Sequence, residues 1–196
     1  MVFAKAATIF SLLAAVSAIP ALEPRAVSAT NPVFIRAGGG DPEAPAPFFG
    51  LYFSANGGYI WLGKDPSFTC DDKDLPCSQP QDARVAFRVS NYIVLDSNGG
   101  QKVYVAPNGA LSFTKPTKGV VPSGSVITGF KLDGNNLLAQ DTEFIACPTN
   151  KDDHGPWKVF SDIGGRVKDS DVPTKKKGDC TRFTAVVTSN KIKQYN

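Results

Sequence analysis

Residues 101–116, QKVYVAPNGALSFTKP, constrain the fold of this chain more than any other stretch. Two short apolar runs, Val103-Tyr104-Val105 and Ala110-Leu111-Ser112-Phe113, flank Asn108-Gly109. Small or locally hydrogen-bonding side chains of that kind tolerate φ > 0, so the segment predicts a β-hairpin closed by a tight turn. Pro107 presets the entry to the turn, and Pro116 marks where the second strand must stop. The hairpin speaks to architecture, because no acid, histidine or cysteine lies within it.

The rest of the chain repeats this short rhythm. Apolar runs at 48–53, 59–62, 85–89, 92–95, 126–132, 137–139, 144–147, 157–160 and 183–187 are separated by Gly, Pro, Asn and Asp. No stretch after the first 18 residues holds apolar positions at three- and four-residue spacing over a dozen residues, as an amphipathic helix requires. The expectation is an all-β protein: a single compact antiparallel domain of some ten or eleven strands, stabilised by disulfides. A faint echo, Asn56-Gly57-Gly58, then Asn98-Gly99-Gly100, then Asp133-Gly134-Asn135, admits a trefoil-like barrel, and a sandwich fits equally well. The β domain is drawn at 48–188. Before it, the segment 19–47 is rich in Pro and Gly and reads as a flexible approach, to which Val33-Phe34-Ile35 could add a strand; after it, 189–196 is a polar tail.

The first 18 residues read as a secretory signal peptide. Lys5 precedes an apolar run at 6–15, and Val16-Ser17-Ala18 supplies the small residues a signal peptidase accepts; the run is too short to anchor in a bilayer. Cleavage would remove one lysine and no acid from 21 basic and 18 acidic residues, leaving a formal charge of +2. So even a balance argues against a nucleic acid or an anionic membrane as partner. Export delivers Cys70, Cys77, Cys147 and Cys180 to an oxidising compartment, where an even count favours two disulfides with three possible pairings. Cys70–Cys77, around a short turn-rich loop, and Cys147–Cys180, which would tie the C-terminal strand to the body, are preferred. Without a CxxC pair and with one histidine, a structural zinc site is not expected, nor is another metal or a cofactor.

Catalytic chemistry finds little purchase. His154, the one candidate base for a nucleophilic triad, sits in the polar stretch Lys151-Asp152-Asp153-His154, and no serine lies in a GxSxG elbow. Paired carboxylates for glycoside hydrolysis need only meet in space, but most acids here fall in turns, where aspartate usually bonds its own backbone. Lys175-Lys176-Lys177 reads as a solvated loop, with a basic docking patch as the alternative. Tyr52, Tyr59, Trp61, Tyr104 and Trp157 are the aromatic residues weighed for a sugar-stacking platform, with Tyr59, Trp61 and Trp157 as the candidate sugar-stacking residues, because a flat exposed ring covers the apolar face of a pyranose. Aromatics at alternate strand positions belong more often to a core.

Several landmarks in order carry a resemblance: Tyr59-Ile60-Trp61-Leu62-Gly63 ahead of Cys70 and Cys77, then Tyr104-Val105-Ala106-Pro107-Asn108-Gly109-Ala110-Leu111-Ser112-Phe113. Thr128-Gly129-Phe130, Phe144-Ile145-Ala146-Cys147-Pro148, Pro156-Trp157-Lys158-Val159-Phe160 and Cys180-Thr181-Arg182-Phe183 follow. Together they resemble the PhiA-like cell wall (phialide) proteins of filamentous fungi, whose relatives are also described as secreted IgE-binding proteins. The resemblance spans 48–187, and leaves the approach before it and the tail from Thr188 outside the pattern. It implies a secreted, non-enzymatic cell wall protein linked to phialide and conidium development, with wall polysaccharide or wall proteins as partners. It brings no catalytic residues. A carbohydrate-binding, lectin-like module and a secreted glycoside hydrolase are the alternatives.

Overall fold

A computed structural model describes residues 31–39, 45–67, 85–96, 100–116, 119–152 and 155–189. Cys70 and Cys77, His154, the leader and the tail beyond Ser189 lie outside the described residues. Twelve strands occur among those described, and no α-helix does: β1 Val33–Gly38, β2 Phe53–Asn56, β3 Tyr59–Leu62, β4 Phe87–Val89, β5 Ile93–Leu95, β6 Lys102–Val105, β7 Leu111–Phe113, β8 Phe130–Asp133, β9 Asn136–Ala139, β10 Phe144–Pro148, β11 Trp157–Ser161 and β12 Thr181–Ser189. Val, Ile and aromatic residues dominate them, as half-buried pleated surfaces favour.

Of the architectures open to the sequence, the one formed is a closed antiparallel barrel of nine strands in the order β1-β4-β5-β6-β7-β3-β11-β10-β12. Closure is made by β1 against β12, in register from Val33↔Ser189 to Gly38↔Thr184. Full closure removes the exposed edges that an open sheet would offer to other chains. The boundary drawn at 48 therefore falls after the first barrel strand: the run at Val33 is longer than the three residues expected and buries Val33, Ile35 and Ala37. The apolar run at 48–53 is a turn that leads into β2, so the strand there lies later than the run itself. β2 pairs with β3 outside the ring, and the β8–β9 hairpin hangs from β12 through Ala185↔Leu137. The three echoed glycine turns fall on the connections β2–β3, β5–β6 and β8–β9, although residues 97–99 of the second are not described.

Period-two alternation fills the interior. Ile60 and Leu62 point in, as do Val103 and Val105, Val159, and Phe183, Ala185 and Val187, around Phe53, Phe87, Phe130 and Phe144. A second, smaller core lies on the outer face of the wall. The segment 162–180, built of three short 3₁₀ turns, folds over β10 and β11 and packs Val167 and Val172 on Ala110, Ile145, Cys147 and Phe160. The Cys147–Cys180 disulfide fastens it, as preferred from the sequence.

The 101–116 hairpin is present, with Val103↔Phe113, Tyr104↔Ser112 and Val105↔Leu111 in register. Its loop is the three residues Pro107, Asn108 and Gly109: Gly109 N–H donates to Ala106 O (2.8 Å), Ala106 N–H to Ala110 O (2.9 Å), and Ala110 N–H to Asn108 Oδ1 (3.2 Å). Gly109 takes φ +82, and a Cβ there would stand 2.3 Å from Val167 Cγ2 and 3.0 Å from Ser161 O. Two costs thus meet at one residue, left-handed backbone and collision with the outer core. Gly109→Ala is expected to lose about 2–3 kcal/mol by denaturant titration. Gly134→Ala, at φ +59 with open space around its Cβ, should lose about 1 kcal/mol. Equal losses for the two variants would show that the outer core does not press on the hairpin tip.

Candidate functional site

The site grows from the outward residues of β6, β7, β3 and β11. Because Ile60 and Leu62 face the core, Tyr59 and Trp61 must face out. The same rule sends Tyr104 outward beside Ser112, which in turn pairs with Tyr59. On β11, Trp157 and Val159 point inward, so Lys158 and Phe160 share the outer face, and Lys158 stands opposite Trp61. The result is a continuous band of rings, a hydroxyl and an amine across four strands.

Tyr59 and Trp61 meet edge to face, 6.5 Å between centroids at 88°. Lys158 Nζ lies 3.2 Å from the centroid of Tyr59 and 5.6 Å from that of Phe160, while Lys64 Nζ lies 4.2 Å from that of Trp61. Each ammonium therefore rests on an aromatic quadrupole. The framework behind them is fixed: Trp61 Nε1 donates to Asn56 O (2.9 Å), the Ser54 hydroxyl to Lys64 O (2.5 Å) and Asn56 Nδ2 to Asp65 O (2.8 Å). Burial, followed by repulsion from Lys64, pushes the Lys158 amine down to about 8. Burial, with Tyr59 adding to it, raises the Tyr104 phenol, against a smaller opposing pull from a hydrogen bond with Ser112.

Tyr59 and Tyr104 also line a groove of about 690 Å³ beside the hairpin tip, floored by Gly57 and Gly58 and edged by Asn108 and Lys115. Among the described residues, no carboxylate or imidazole lines it. A cleft of this size accommodates a small ligand or a few sugar units, and glycines let it approach the backbone.

Of the three rings expected to stack sugars, the structure brings two together. Trp157 is only 6% exposed, packs edge-on against Phe48 (5.7 Å, 64°) and belongs to the barrel core. Its odd position on β11 turns it away from Lys158, so burial removes it from any exposed platform. Trp61 is on the right face but 9% exposed beneath Lys64, whereas Tyr59, at 37%, is open. Tyr104, weighed with the other aromatic residues from the sequence, joins the band, and Lys64 and Lys158, which complete it, were not singled out as a site from the sequence. The signal available was Lys158 as the one polar residue inside Trp157-Lys158-Val159-Phe160, which reads as outward in a strand.

The other candidates are occupied with the fold. Lys175 Nζ donates to Ser170 O (2.7 Å), Lys176 pairs with Asp179 (3.6 Å) and Lys177 with Asp162 (2.6 Å), so the three lysines hold their own loop. Burial would raise the Asp162 carboxyl, but the Lys177 ammonium and the Val167 N–H outweigh it and hold Asp162 below the usual range. Asp169 and Asp171 accept from the N–H groups of Lys177 and Lys168, as turn aspartates do. Asp96 pairs with Arg88 (2.8 Å) and Asp141 with Lys131. Among the described residues, no group of three or more His, Cys, Asp or Glu gathers as metal ligands.

Residues 46–195 match the sequence profile of the PhiA-like secreted protein family. The match runs through the tail, which corrects the expectation that the residues from Thr188 lie outside the family pattern; β1 precedes it. The chain is also 30% identical, over 149 residues, to an uncharacterized secreted protein of Arthroderma benhamiae, covering 72% of this chain and 73% of the relative. No solved structure matches. With its order of strands and motifs, this chain is a secreted fungal protein that belongs to the PhiA-like secreted protein family.

Proposed function

We propose that this protein is a non-enzymatic component of the fungal cell wall, linked to phialide and conidium development, that holds to wall polysaccharide through the groove beside Tyr59 and Tyr104. One observation carries the reading: the groove offers ring faces next to hydroxyl and amide groups, from Tyr59, Tyr104, Ser112 and Asn108, on a rigid barrel wall. Sugar recognition uses that mixture, apolar faces for the pyranose and polar groups for its hydroxyls. The described residues that line it are rings, hydroxyls, amides and a lysine, groups suited to holding a glycan.

Retention on insoluble chitin and on β-glucan tests the proposal, together with cell fractionation. Wild type is expected to bind at least one of the two and to be extracted from walls. Tyr59→Ala with Tyr104→Ala should weaken retention by about fivefold to 150-fold, from about 0.5–1.5 kcal/mol per ring. Undiminished retention by the double variant would remove the groove from the reading, and recovery only from culture medium would remove the wall. Release of new reducing ends from either polymer would replace binding by hydrolysis.

A further inference from the structure

Two ammonium groups, those of Lys64 and Lys158, stand over the rings of Trp61 and Tyr59, the second of which lines this groove. Among the described residues neither Lys64 nor Lys158 meets a carboxylate, whereas Lys131, Lys176, Lys177 and Arg88 each have one. The rings beneath them stabilise positive charge but accept only weakly, so the N–H donors of a half-buried Lys158 are poorly satisfied. The two lysines also repel each other. An anion between two cations in a partly desolvated site relieves both costs.

The cluster is continuous with the groove through Tyr59, which lies under Lys158 and also lines the cavity. Lys115 adds a further cation to the groove lining. A ligand that fills the groove with sugar rings thus places a substituent near two ammonium groups.

We propose that Lys64 and Lys158, held on Trp61 and Tyr59, receive the negatively charged substituent of an acidic sugar chain whose rings occupy the adjoining groove. This inference rests on the glycan-binding reading of the groove and names the class of glycan. Lysines act as point charges here, without the planar fork that selects one oxyanion geometry, so a carboxylate and a phosphate share the required chemistry. Protonated Lys158 is the competent form. Burial first and Lys64 second lower its titration; of the groups around it, Tyr59 faces it from β3, Phe160 does not titrate, and Cys147, its neighbour on β10, is held in the disulfide. Binding therefore takes up protons, is strongest below about pH 8 and weakens above it.

Calorimetric titration of the full chain at low salt is the test, with oligogalacturonate, phosphorylated mannan oligosaccharides and neutral β-glucan oligosaccharides as probes. At least one acidic probe is expected to bind about tenfold or more tightly than the neutral glucan at pH 6, with the gap narrowing at pH 9. The two acidic probes tell carboxylate from phosphate. Lys64→Gln with Lys158→Gln should abolish the gap, so that the variant binds acidic and neutral probes with the same affinity; a gap that persists in it would overturn the role of the two lysines. Lys158→Arg should keep the acidic preference and lose the weakening at pH 9, because guanidinium stays protonated. Equal binding of acidic and neutral probes would overturn this inference and leave the groove reading intact. Loss of all three glycans' binding in the wild type would overturn both.

Discussion

Phe53→Ala is expected to lower stability by about 3–5 kcal/mol and Tm by about 10 °C. Phe53 is 1% exposed and lies edge-on to three other rings: Phe87 (6.3 Å), Phe144 (6.1 Å) and Phe183 (6.1 Å). Those rings come from β4, β10 and β12, which together with β1 are four consecutive strands of the closed ring, while Phe53 arrives on β2, whose ladder is made with β3 outside that ring. Truncation leaves a cavity bounded by strands that are locked in a closed ring and so collapse poorly into it. That is the condition under which large-to-small changes cost most. Edge-to-face contacts among the rings are lost in the same step. Phe49→Ala is the control, because Phe49 neighbours the same region in sequence but is 48% exposed, and its loss should stay within about 0.5 kcal/mol. Urea unfolding of both variants decides the matter; a Phe53 variant within 1 kcal/mol of wild type would mean that the interior refills and that the aromatic cluster is not the centre of the fold.

The strands were legible wherever local chemistry sets them. The 101–116 hairpin is written in Pro107, Asn108 and Gly109, and the glycine turns at 57–58 and 134–135 likewise join paired strands. Closure was not legible. β1 meets β12 across most of the chain, and nothing in the alternation of Val33, Ile35 and Ala37 names Phe183, Ala185 and Val187 as their neighbours. Alternation assigns a residue to a face, and pairing is decided by which apolar faces can be covered together. Hence a segment rich in Pro and Gly was read as an approach even though it supplies a wall strand.

The same limit explains the site. Tyr59 and Trp61 were visible as aromatic residues, but their company was not: Lys158 joins them through β11 pairing beside β3, and Lys64 folds back over Trp61 after the strand has ended. Trp157 misled for a related reason. Composition registers a ring, whereas its use depends on one residue of register, which on β11 separates a core tryptophan from an outward lysine. The outer core was hidden as well, since residues 162–180 carry no strand or helix period and gain their packing from the wall they cover.

Replacing Cys147 and Cys180 together by alanine should cost about 3.5–4 kcal/mol and about 10 °C in Tm. The bond joins residues 33 apart, and loop-closure entropy for a loop of that size gives this order of magnitude at 25 °C. The double variant is preferable to chemical reduction because it leaves Cys70 and Cys77 untouched. Beyond the global loss, the effect has a direction in space. Cys147 lies on the outer face of β10 and Cys180 stands where the covering segment rejoins β12, so the bond seals the outer core at its open end. Without it, Val167 and Val172 are held by packing and by the Lys177–Asp162 and Lys176–Asp179 pairs, the second of which is largely exposed and worth little. Amide exchange should therefore accelerate across 162–180 well before it does in β1, β10 or β12, and Gly109, which touches Val167, should follow. Melting is read by circular dichroism and protection by exchange with mass spectrometry. A variant that melts like wild type, or that loses protection uniformly around the barrel, would show that the segment is held by its packing alone and that the disulfide does not gate the outer core.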